Sequence, residues 1–194
     1  HLPIRFAKVT TMEDLDYTQW HDSTGAPLEK MPDRLGIATN GFIRDETGKI
    51  LMQLRSDIDF WGMPGGNVEI GESVEQGVMR EVFEETGLQV RVERLIGIYS
   101  EPDSYPFMRY PDGLTVHYIT PVFTCNYFAG ELQVSDESTD IDYFPADNLP
   151  KNTLLSHRVR IDDALTAVDE VSDIVEGVEV SNGGHAVLFK ELGV

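Results

Sequence analysis

The sequence predicts an α/β domain in which a mixed sheet is covered by helices. Three observations lead there: short runs of β-branched and aromatic residues that pair locally, one well-capped helix that interrupts them, and a second helical stretch that closes the series. The chain has 194 residues, enough for one domain with a proper core, and its 41% apolar and 25% charged residues are ordinary globular values. There is no internal repeat and no linker long enough to divide the chain in two.

Residues 2 to about 33 lack sustained periodicity and read as an N-terminal extension. From Arg34 the pattern changes. "RLGIATNGFIRD" and "KILMQLRS" are strand-like runs joined by "ETG", a turn signal of hairpin type. "DFWGMPGGNVEI" is a Gly/Pro-rich loop leading into a short extended piece. A helix follows from about Ser73 to Thr86, because Ser73 and Gln76 form a capping-box pair and Gly87 stands where a left-handed cap is usual. "LQVRVERLIGIYS", "LTVHYITPVFTCNYF" and "GELQVS" are predicted strands, the first two separated by the polar loop "EPDSYPFMRYPDG". "SHRVRIDDALTAV" has apolar residues at roughly helical spacing. The domain therefore runs over about 34–169, and residues 170–194, with the strand-like "HAVLFK", form a C-terminal extension without an assigned role.

Charge narrows the function. Asp and Glu outnumber Lys and Arg by 34 to 15, a formal net charge of -19 that argues against a broad nucleic-acid surface. An anionic substrate would need a local cation, which a carboxylate cluster supplies once it binds a divalent metal. Cys125 is the only cysteine, so no intrachain disulfide can form and a cytoplasmic location follows weakly. No apolar run suits a membrane span.

The segment "GGNVEIGESVEQGVMREVFEETGL", residues 65 to 88, holds the chemistry. At about 100° per residue, Val74, Val78 and Val82 define an apolar stripe, and Glu81 and Glu85 fall at its edge rather than opposite it, where Phe83 lies. Charges near a buried edge need partners, and Arg80 supplies one. Two readings stand for the fragment alone: a glutamate-rich surface helix, or carboxylates gathered around a divalent metal. Gly77, one turn before Glu81, either leaves room for the ion or a phosphate or permits close packing.

The spacing of Gly66, Glu72, Arg80, Glu81, Val82, Glu84, Glu85, Gly87 and Leu88 resembles the signature of the Nudix (MutT-like) hydrolases, and every fixed position is filled. The resemblance implies an α/β/α sandwich around a mixed sheet and hydrolysis of the diphosphate linkage in a nucleoside diphosphate joined to another group, with Mg²⁺ or Mn²⁺. It implies that Glu81, Glu84 and Glu85 are metal ligands, one of which takes a proton from the attacking water. Arg80 would orient the glutamates, Glu72 would brace the loop through Arg80, and Gly66 and Gly87 would be turn positions. A further carboxylate from a later loop often assists in this family; Glu137 is the first candidate and Asp140 the second, with an ordinary solvated acid as the alternative reading.

Substrate contacts are sought in Tyr105, Phe107, Arg109 and Tyr110, which suit stacking or phosphate binding, although packing or loop surface is the commoner role for each, and in Arg55, which either binds a phosphate or pairs with a nearby acid. His117 reads as structural and Trp61 as a core or loop anchor. ADP-ribose or a nucleotide sugar is the slightly favoured substrate; the alternatives are nucleoside triphosphate clean-up and a non-catalytic nucleotide sensor. Long RNA is disfavoured by the acidity. The N-terminal extension is a candidate for exchange across a homodimer.

Overall fold

Fifteen residues, Thr115–Ala129, form β7, the strand around which the domain is organised. In the computed structural model, which describes residues 17–172, β7 has two successive partners on each side. Along one side lie β1 (Arg34–Ile37) and then β2 (Asn40–Phe42), both parallel to it; along the other lie β6 (Phe107–Arg109) and then β5 (Gln89–Tyr99), both antiparallel. A second, antiparallel sheet has the order β4 (Trp61–Gly62), β3 (Ile50–Arg55), β8 (Ser138–Phe144). Helices α1 (Val74–Thr86) and α2 (Leu155–Ser172) complete the element set.

Strand alternation divides the apolar residues between two cores. Phe42, Ile50, Met52, Trp61, Met63 and Val122 share one cluster with Ile161 and Ala164 of α2. Their neighbours in sequence, Ile43, Leu51 and Phe123, share the other with Val78 and Val82 of α1. The sheets are thus sandwiched between α1 and α2, the mixed α/β/α arrangement expected.

Several local expectations need correction. The predicted hairpin turn exists, with the Asp45 carboxylate accepting from the backbone N–H groups of Thr47 and Lys49 (2.9 Å each) and Arg44 bridging Ile50, but its arms enter different sheets. The run before it breaks into β1 and β2, and the loop after β4 is stitched across the break: Thr39 donates to the Gly66 carbonyl and Gly41 to that of Pro64, 2.9 Å each. "GELQVS" is not a strand. It runs past the end of α1, where the Gln133 N–H donates to the Thr86 carbonyl at 2.9 Å. The strand is instead Ser138–Phe144, whose exposed acids hid its alternation, and the polar loop before β7 contains β6.

Residues 17–33 pack on their own domain. Trp20 stacks on Phe107 at 5.0 Å, and the buried Asp22 accepts from the Thr24 and Ala26 N–H groups. "HAVLFK" and almost all of the C-terminal extension lie outside the described residues.

Candidate active site

Helix α1 begins and ends as its sequence requires. The Ser73 hydroxyl accepts from the Gln76 N–H (3.1 Å), the Gln76 side chain accepts from the Ser73 N–H (2.8 Å), and Gly87 closes the helix at φ 74°. Val78 and Val82 are fully buried and Phe83 is half exposed, as the helical wheel predicts. The surface-helix reading fails at Glu85, which is only 4% exposed.

The three signature glutamates meet different surroundings. Glu85 Oε2 accepts from the Gly65 N–H at 2.6 Å, and burial pushes its carboxyl up to about 7 against that bond and the Gln53 side chain. Burial also raises Glu81, opposed by Arg80. Glu84 is more than half exposed. Arg80 ties the group together: it donates to Glu72 through Nε (3.1 Å) and Nη2 (2.7 Å), to Glu81 and Glu84 through Nη1 (3.0 Å each), and to the Asn67 carbonyl (2.9 Å). Glu72 also accepts from the Glu69 N–H at 2.7 Å, which ties the loop to the helix through Arg80.

Two glycines lie under close approach, the first against backbone and the second against the movable end of a side chain. A Cβ at Gly65 would lie 2.1 Å from the Thr39 carbonyl, and one at Gly66 would lie 2.6 Å from the Glu81 carboxylate. At Gly77 the nearest groups to an added Cβ are the Glu72 carboxylate at 3.0 Å and the Val68 side chain at 3.5 Å, so the loop packs closely on the helix there.

A cavity of about 430 Å³ opens between the two sheets and α2, within the range of small-molecule sites. Glu81, Arg55, Tyr105, Tyr110 and Glu137 all line it. Arg55 is paired with Asp57 at 2.7 Å, and the Tyr110 and Tyr118 hydroxyls share a hydrogen bond of 2.8 Å. Tyr105 sits in the wall at φ 54°, an uncommon conformation for a bulky residue. Arg109 does not line the cavity. Its guanidinium pairs with Asp22 at 3.1 Å, so the packed N-terminal segment has claimed it. Asp140 is exposed on β8 and also lies outside the lining. His117 has Nε2 2.7 Å from the Ser100 carbonyl oxygen and Trp61 packs edge-on against Phe144, both structural roles.

Sequence reading missed the cavity floor: Asn40, Gln53, His157 and Arg160. The signal was present, since His157, Arg160, Ile161 and Ala164 recur at i, i+3, i+4 and i+7 and all are buried, which places two polar residues on the apolar face of α2.

Among the described residues, no three Asp, Glu, His or Cys side chains are gathered closely enough to cage a metal as they stand. Arg80 draws Glu81 and Glu84, while Glu85 is turned to Gly65. The donor set nonetheless suits a hard divalent cation: all three are carboxylates, and two are desolvated with less positive charge nearby than they need.

Glu81 and Glu84 braced by Arg80, and Glu85 buried against Gly65, thus stand beside a cavity of about 430 Å³ in an α/β/α sandwich. The family model described as NUDIX domain matches residues 34–164, and the chain belongs to that family. It is 42% identical over 118 residues to a protein of Methanocaldococcus jannaschii named ADP-ribose pyrophosphatase, the match covering 59% of this chain and 64% of that relative. It is 30% identical over 148 residues to a MutT-like protein of Streptomyces ambofaciens, covering 76% and 84% respectively. A crystal structure of an ADP-ribose pyrophosphatase from Streptococcus suis superposes with a TM-score of 0.57 at 26% identity, covering 69% of this chain and 91% of that one. Family members generally use a divalent metal. Among the described residues no helix is long and apolar enough to cross a membrane.

Proposed function

We propose that the protein is a Mg²⁺-dependent pyrophosphohydrolase that cleaves the diphosphate linkage of a nucleoside diphosphate joined to another group, with ADP-ribose or a nucleotide sugar as substrate. The observation that carries this reading is the set of signature glutamates, Glu81 and Glu84 braced by Arg80 and Glu85 held by the Gly65 N–H, with Glu81 lining a cavity of about 430 Å³. The name of the Methanocaldococcus jannaschii relative favours ADP-ribose within the class.

Glu81, Glu84 and Glu85 would hold the metal, which when bound neutralises charge on the phosphoryl oxygens and acidifies water. Arg80 fixes the orientation of Glu81 and Glu84, and Glu137, in the cavity lining, offers an additional oxygen. Water attacks one phosphorus, the bridging P–O bond breaks, and two monophosphates leave; the proton lost by water passes to a signature carboxylate. Arg55, Tyr105 and Tyr110 border the space for the nucleotide.

The test is hydrolysis of a panel of ADP-ribose, nucleotide sugars and nucleoside triphosphates with Mg²⁺, with products resolved by chromatography. Two monophosphates from a diphosphate-linked member support the reading. Pyrophosphate release would move the enzyme to triphosphate clean-up, and no turnover with Mg²⁺ or Mn²⁺ would favour a ligand sensor. A homodimer and a cytoplasmic location belong to the same proposal; light scattering coupled to sizing tests the first.

A further inference from the structure

Arg160 is set apart from every other cation at the cavity. It is 5% exposed, its Nη1 donates to Asn40 Oδ1 at 2.6 Å, and its Nε is buried without a hydrogen-bond partner. Its guanidinium lies over the Tyr99 ring at 5.5 Å. It forms no ion pair among the described residues, whereas Arg55, the other arginine of the lining, is already neutralised by Asp57. Burial without a counter-charge holds Arg160 down at about 10. Burying an unpaired guanidinium is costly, and the group can only donate hydrogen bonds, so an acceptor-rich anionic partner is the one that relieves both the open donor and the uncompensated charge.

Its position says which part of a nucleotide that partner is. Asn40 reaches Gly65 so closely that a Cβ there would meet Asn40 Nδ2 at 2.7 Å, and the Gly65 N–H holds Glu85. Two residues therefore link Arg160 to the signature glutamates, against which the diphosphate must lie. A guanidinium matches phosphate oxygens in geometry and charge.

We propose that Arg160 is a substrate-binding residue that donates to a phosphate oxygen of the bound nucleotide, supplying from α2 the positive charge that the acidic rim lacks. This rests on the reading of the cavity as a nucleotide diphosphate site, and it adds a residue that lies outside the signature.

The probes are AMP and adenosine, titrated calorimetrically in the presence of Mg²⁺ into wild type, R160Q and N40D. Wild type should prefer AMP. In R160Q that preference should shrink by about ten- to hundredfold, the worth of a charge-assisted hydrogen bond, while adenosine affinity is kept. N40D guards against a folding defect in R160Q: it gives Arg160 an internal carboxylate, so it should melt no lower than wild type yet lose the same preference. A structural role alone predicts the stability gain without the loss of phosphate recognition. The proposal is overturned if wild type shows no preference for AMP, or if folded R160Q or N40D keeps the wild-type preference. Hydrolysis of the panel is scored separately: turnover with an unchanged preference sinks this inference alone, and a lost preference without turnover sinks the hydrolase reading alone.

Discussion

Arg80, on α1 behind the signature glutamates, and Arg160, in the lining of the cavity, live in opposite electrostatic settings. Arg80, on α1, is partly exposed and meets three carboxylates, which raise its affinity for its proton, Glu72 foremost. Arg160, on α2, is buried, meets an amide and a ring, and is lowered. A guanidinium whose donors are spent on protein carboxylates organises those carboxylates. One that is desolvated and left without a counter-charge is poised for an anion from outside. Helix α1 therefore carries the negative half of the site, held in shape by its own arginine, and α2 carries the positive half.

The largest effect is expected where α1 loses charge. We expect E85Q to lower kcat roughly 10²- to 10⁴-fold, the range for losing a positioned acid-base or metal-binding group. Gln keeps an oxygen for the Gly65 N–H and removes a charge that burial disfavours, so thermal melting should not fall. A variant that stayed active would take Glu85 out of the chemistry. Next comes G66A. A Cβ 2.6 Å from the Glu81 carboxylate must displace it, and a shift of about 1 Å costs around 10²-fold in rate. Because Gly66 has no positive φ, the loop should still form, and circular dichroism should show an intact fold. R80Q is expected to raise the Mg²⁺ concentration needed for half-maximal rate by about 10–100-fold, as losses behind a ligand shell do. An unchanged Mg²⁺ requirement would reduce Arg80 to a surface ion-pair partner.

The difference between the two helices also explains what could be read in advance. On α1 the chemistry is local: caps, stripe, arginine and glutamates fall within one continuous segment, so periodicity and spacing expose them before any contact is known. The floor is non-local. Asn40 sits 120 positions from the Arg160 it binds, and His157 is 94 from the Met63 N–H that fixes it. Pairing over such distances leaves no spacing signature. Only the placement of polar residues on the apolar face of α2 hinted at it. Arg109 shows the converse: a loop arginine of suitable chemistry was spent on Asp22, a partner in a segment with no readable periodicity.

The smallest expected effect lies beside Arg160 and tests whether the floor is positive by design. His157 Nδ1 accepts from the Met63 N–H at 2.8 Å, so the ring is neutral with its proton on Nε2. Burial first, then Arg160 and Arg55, hold His157 well below its ordinary value of 6.5. In the interval between the folded and unfolded values the unfolded chain takes up the proton and the folded chain does not. Stability is thus greatest above about 6.5 and declines as the pH falls, by at most about 1.4 kcal/mol per unit for one group. Asn at 157 can place an oxygen near the Nδ1 position and cannot titrate. H157N should therefore be less stable than wild type at pH 7.5, because a ring is lost, yet lose about 1 kcal/mol less than wild type between pH 7.5 and 6 in urea unfolding. Equal slopes for the two proteins would mean that the imidazole accepts its proton within the fold, which two neighbouring guanidinium groups and a donated N–H leave no room for.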